Sequence, residues 1–158
     1  MKTAIVLGLG LLAACDKAGS SGTSGSGASD KGAVAARDPL LAVALPAGAV
    51  RTTGKNFHVD AAALGPCAAG APCVVAADLT AENGFKVNPE YPYKLVEPSV
   101  ALAGAATFTP LSTHHGRLLV KFDRAAAGPS QLTGTFKLSV CSADVCQIEQ
   151  VALAVAVP

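Results

Sequence analysis

The chain has 158 residues and a mass of 15.6 kDa, which is room for one cored domain and a tail but too little for two separately cored domains. Apolar residues make up 51% and charged residues 15%, yet aromatics only 4%, so alanine supplies much of the apolar count and burial per residue is modest. Twelve basic residues against eleven acidic ones, with no basic cluster, give nucleic acid no electrostatic footing, and no apolar run reaches the roughly 18 residues of a spanning helix, which excludes a polytopic membrane protein.

Residues 1–14 read as a lipoprotein signal peptide: Lys2, an apolar segment from Ala4, and small residues before Cys15. Leu12, Ala13, Ala14 and Cys15 resemble a bacterial lipobox. The resemblance implies cleavage before Cys15, a diacylglyceryl thioether on its sulfur and an acyl chain, palmitate or similar, on its new amino group. The membrane then becomes a partner through the acylated Cys15, because several chains anchor far better than one. The location this implies is the bacterial cell envelope, facing the periplasm. Asp16 resembles an inner-membrane retention signal of enteric bacteria, and the choice between inner and outer membrane stays open. Cleavage removes Lys2 and leaves eleven residues of each sign.

Residues 15–50 form a linker. Between Gly19 and Ser29 every residue is Gly, Ser, Thr or Ala, a composition that cannot offset its own ordering entropy. As slack chain to about residue 53 it spans roughly 34 Å. Asp38 and Pro39 suit the cap and first position of a short helix through Leu45, and a short strand fits as well. All seven aromatics lie at or beyond Phe57, which places the domain at 51–158. Alternation of period two recurs there: Phe57, Val59 and Ala61; Val75, Ala77 and Leu79; Leu118, Val120 and Phe122 against Arg117, Lys121 and Asp123; Phe136, Leu138 and Val140; Val151, Leu153, Val155 and Val157. Gly and Pro punctuate the gaps, and no stretch past residue 50 holds a 3.6-residue period. Six to eight short strands around one core predict an all-β fold, an immunoglobulin-like antiparallel β-sandwich.

With Cys15 set aside, Cys67, Cys73, Cys141 and Cys146 form an even set in an exported chain, where disulfides persist. A bridge between sheets from Cys73 to Cys141 conflicts with the parity of Cys141, which matches Lys137 and Ser139 and points away from the core. Local pairing, Cys67 with Cys73 and Cys141 with Cys146, meets no such conflict. If Ala143 and Asp144 form a two-residue turn, Cys141 opposes Cys146 in a non-hydrogen-bonded pair, with Cα atoms about 4.5 Å apart. A bond there closes so small a loop that chain entropy returns only about 2 kcal/mol, and strained or exposed disulfides are the labile ones. Asp144 and Glu149 oppose thiol ionisation, and Lys137 is the nearby cation on the same face. Cys67 and Cys73 frame a turn and read as a structural clasp.

From Gly84 onward the chain resembles the N-terminal periplasmic domain of DsbD, the thiol:disulfide interchange protein, and related disulfide-corrector domains. The matching residues are Gly84, Asn88, Pro89, Glu90, Tyr91, Pro92 and Tyr93, then Gly134, Thr135 and Phe136 leading into Cys141, Ser142, Ala143, Asp144, Val145 and Cys146. The likeness covers residues 84–157. Gln147, Ile148 and Glu149 stand where that family often has prolines. The resemblance implies an immunoglobulin-like domain whose Cys141 and Cys146 are the redox pair, exchanging with a thioredoxin-like protein or a membrane thiol reductase. The rival reading is a non-enzymatic binding or assembly lipoprotein with inert disulfides.

No metal or cofactor is expected. Neither cysteine spacing is the short one usual in structural zinc sites, and His114 and His115 point to opposite faces of an extended segment. His58 takes the outward parity of its strand. Tyr91 and Tyr93 either cover the cysteine hairpin or pack an edge of the sandwich. Serine-hydrolase and phosphate-loop patterns are absent.

Overall fold

The alternating segments become strands, and a computed structural model describes residues 38–125 and 130–157. The signal peptide, Cys15 and the Gly/Ser stretch of the linker lie outside the described residues. A 3-10 turn, Pro39–Ala42, precedes nine strands: β1 (Val50–Thr53), β2 (Phe57–Ala63), β3 (Pro72–Ala81), β4 (Lys86–Val87), β5 (Lys94–Val96), β6 (Thr107–Pro110), β7 (His115–Asp123), β8 (Gln131–Cys141) and β9 (Cys146–Ala156). Every ladder is antiparallel. One sheet runs β1-β2-β3-β7-β6. In the other, β9 pairs β8 along its whole length, and β4 and β5 share the opposite side of β8.

Period two decides the layering, because each strand turns alternate side chains to a common side. Phe57, Val59, Leu79, Val120 and Phe122 from the first sheet meet Phe136, Leu138, Val140, Val151 and Leu153 from the second in a single core. The result is the two-layered antiparallel sandwich that the alternation predicts.

The first sheet is buried on its outer side too. Ala76, Arg117 and Leu119 have the outward parity, yet all three are shielded from solvent. Register puts Arg117 opposite Asp78. Its guanidinium, 4% exposed as a residue, donates to both carboxylate oxygens of Asp78 at 2.6 Å and to the carbonyls of Leu40, Leu41 and Val43. Lys121 pairs with Asp38 at 2.8 Å. The segment from Asp38 to Val43, which composition assigns to the linker, therefore packs on the sheet. Of the two forms open to this segment the chain adopts the helical one. Asp38 accepts from the Leu40 N–H at 3.0 Å with Pro39 in the first turn, and the helix stops at Ala42.

Candidate functional site

β8 and β9 join through Ala143 and Asp144, with the Ser142 N–H donating to the Val145 carbonyl at 2.8 Å and Cys141 opposite Cys146. This is the register that counting residues predicts. Neither Ala143 nor Asp144 has positive φ, so the turn is not one of the primed types that two-residue hairpins favour. Ser142 Oγ closes it instead, accepting the N–H groups of Asp144 and Val145 at 3.2 Å each. The sulfurs of Cys141 and Cys146 are bonded, and the Cα atoms lie 4.0 Å apart. Cys146 is exposed and Cys141 half-buried. Ile148, opposite Ser139 and so on the same face as the disulfide, is 66% exposed, and Val145 in the turn is 52% exposed.

The second disulfide has the reverse environment. Cys67 and Cys73 are bonded, and each is only 1% exposed. Arg124 donates to the Cys67 carbonyl, and its own backbone carbonyl accepts the Gly70 N–H at 2.6 Å, which closes the corner between β2 and β3. Cys73 faces Phe122 near the end of β7, whereas Val87 in β4 bonds to Thr113, just before β7 begins. Nine residues of extended chain, roughly 30 Å, separate those two points. The sealed bond and the exposed bond thus sit at opposite ends of the sandwich.

Strand pairing adds a residue that sequence reasoning missed. Lys86 in β4 is directly opposite Cys141. β4 is two residues long, too short to produce a periodic signal, so only the fold reveals this neighbour. Glu149 pairs with Leu138 and takes the other face, while Asp144 stays in the turn.

The loop from Asn88 to Tyr93 lies over β8 beside the cysteines. Asn88 N–H donates to the Ser139 carbonyl at 3.2 Å, and the Tyr93 hydroxyl donates to that same carbonyl at 2.7 Å. Tyr93 stacks on Phe108 with centroids 3.7 Å apart and packs near Phe136, so it bridges the two sheets, while Tyr91 meets it edge-on. Burial pushes the Tyr93 phenol up to about 12. Phe108 can lie this way because β7 has Gly116 beneath it; a Cβ there would come within 2.2 Å of the ring.

His58 is half-buried, with Nδ1 2.8 Å from Glu82 Oε1 and Nε2 3.5 Å from Asp60 Oδ2. His115 contacts Thr80 Oγ1, and His114 is exposed. Among the described residues, no three or more His, Cys, Asp and Glu side chains are grouped to hold a metal. A groove of about 470 Å³ opens at the other end of β9, where Val50, Ala62, Leu64 and Val155 are among its walls. Its side chains are all apolar and offer no acid, base or nucleophile.

No protein-family model and no curated protein matches the chain. Among solved structures it is similar to the N-terminal periplasmic domain of ScsB from Proteus mirabilis, with 12% identity over 68% of this chain and a TM-score of 0.48. The chain spans half the length of that structure.

Proposed function

We propose that this chain is a lipid-anchored domain facing the periplasm, which exchanges its Cys141–Cys146 disulfide with a thioredoxin-like protein or a membrane thiol reductase. The observation that carries this reading is the contrast between its two bonds. A bond meant only as a staple is served best by burial, as at Cys67–Cys73, whereas the hairpin bond lies at the surface, with Cys146 exposed and Cys141 half-buried. Ile148 on the same face supplies apolar contact for that protein.

Cys146 is the more exposed member and is the sulfur attacked. A partner thiolate forms a bond to Cys146 Sγ, the Cys141–Cys146 bond breaks, and Cys141 leaves with the electron pair as a thiolate. The partner's second thiol then loses its proton and attacks the mixed disulfide, which releases Cys146. Two electrons and two protons reach the domain, the partner is left oxidised, and the reverse sequence returns them. The lipobox-like segment supports anchoring through Cys15, and the residue-level likeness to DsbD domains supports the choice of partner.

The decisive variant is Cys141→Ala, which leaves Cys146 without its internal partner. In cells it should accumulate a mixed disulfide with a thioredoxin-fold protein, visible as a reductant-sensitive band and identifiable by mass spectrometry. Absence of any such adduct, together with resistance of both native disulfides to mild dithiothreitol, would overturn the reading in favour of an inert binding or assembly module.

A further inference from the structure

The sulfur that leaves in the first exchange step is Cys141, and the charge beside it sets how readily it leaves, since a thiol of lower pKa is the better leaving group. Lys86 and Cys141 are cross-strand partners on the outer face of the second sheet. Asn88 and Ser139 form a hydrogen-bonded pair in the same ladder, so by alternation Lys86 and Cys141 form the next one. Their Cβ atoms are then about 5 Å apart, within the reach of a lysine chain.

The other charges near this point are weaker candidates. Lys137 shares the face but lies four residues along β8, about 13 Å away, and stands opposite Lys94. Glu149 takes the opposite face, Asp144 belongs to the turn, and Glu90 is exposed in the loop after β4. Lys86 is exposed and, among the described residues, forms no ion pair, so no carboxylate there neutralises it.

We infer that Lys86 is a positioning residue for the exchange, holding a positive charge against Cys141 so that this sulfur departs as a stabilised thiolate. Its role rests on the exchange reading above and adds to it the residue that tunes the rate and the direction.

The test compares the full chain in detergent with Lys86→Gln and Lys86→Arg. In protein reduced at the hairpin by mild dithiothreitol, alkylation of Cys141 is followed against pH by mass spectrometry of its peptide, and chains that also carry label at Cys67, which is sealed in the fold, are discarded as unfolded. Replacement by glutamine should move the Cys141 inflection up by about half a unit to one unit. It should also slow opening of the oxidised bond by dithiothreitol at pH 7 about two- to threefold, since exchange rates follow thiol pKa with a coefficient of about one half, whereas arginine keeps both near the native values. In 1 M salt, where the Debye length falls to about 3 Å, the rates of the native and glutamine forms should converge. An unmoved inflection in Lys86→Gln, or an arginine form that behaves like the glutamine form, would overturn the assignment. A trapped partner with an unmoved inflection sinks the Lys86 role alone; a moved inflection with no trapped partner sinks the exchange reading and leaves the local electrostatics standing.

Discussion

An exchanging disulfide must open without unfolding its domain, and the hairpin geometry sets what opening costs. Replacing both Cys141 and Cys146 by serine removes a cross-link that spans a separation of five residues. For so small a loop the chain-entropy contribution is about 2 kcal/mol. The rest of the hairpin is untouched: β8 and β9 keep ten further register pairs, and Leu138, Val140, Val151 and Leu153 stay in the core. With a urea dependence of roughly 2 kcal/mol per molar, the unfolding midpoint followed by far-ultraviolet circular dichroism should fall by about 1 M, with a single cooperative transition retained. The matching Cys67→Ser, Cys73→Ser variant loses a similar entropy term and also places two hydroxyls in a sealed corner, at about 1–3 kcal/mol for each one left unsatisfied. Its loss should be distinctly larger. If the hairpin variant instead loses more than about 4 kcal/mol, or more than the Cys67/Cys73 variant, the exposed bond is a staple and the reduced domain is no working intermediate.

Arg117→Met should destabilise the domain by about 2–4 kcal/mol, since it leaves Asp78 and three carbonyls of the 40–43 segment without their donor; a double cycle with Asp78→Ala measures the coupling, and a loss under 1 kcal/mol would refute the clamp. The Tyr93 phenol titrates near 12 in the fold against about 10 when unfolded, so its contribution is complete below pH 10 and is lost as pH rises towards 12. The urea midpoint of the native protein should therefore fall more steeply between pH 10 and 12 than that of Tyr93→Phe, and equal slopes would show that the phenol is not shielded.

The parts of the fold that were legible in sequence are those set by a local period. Phe57 to Ala61, Val75 to Leu79, and the long β8–β9 pair announce themselves by alternation, and the cysteine register follows from counting across a two-residue turn. What stayed hidden depends on distant pairing. Arg117 looks like a solvent-facing residue until β3 sets Asp78 against it and a segment some 75 residues earlier in the chain lies across both. Composition alone assigns that segment to the linker, because leucine and alanine near Asp38 carry no sign of the carbonyls they present. Lys86 was missed for the opposite reason, as it sits in a strand too short to have a period. Ser139 has outward parity and is nonetheless fully buried, because the loop from Asn88 to Tyr93 folds over it.

The placement of Cys67 and Cys73 at the far end has a consequence for how the chain meets a reductant. A small reductant or a partner cysteine that cycles the tip many times has no route to the other pair unless the β2–β3 corner first comes apart. The two bonds thus report on different events: thiol label at residues 141 and 146 records opening of the exposed bond in a folded chain, and label at 67 and 73 records only chains that have lost their shape.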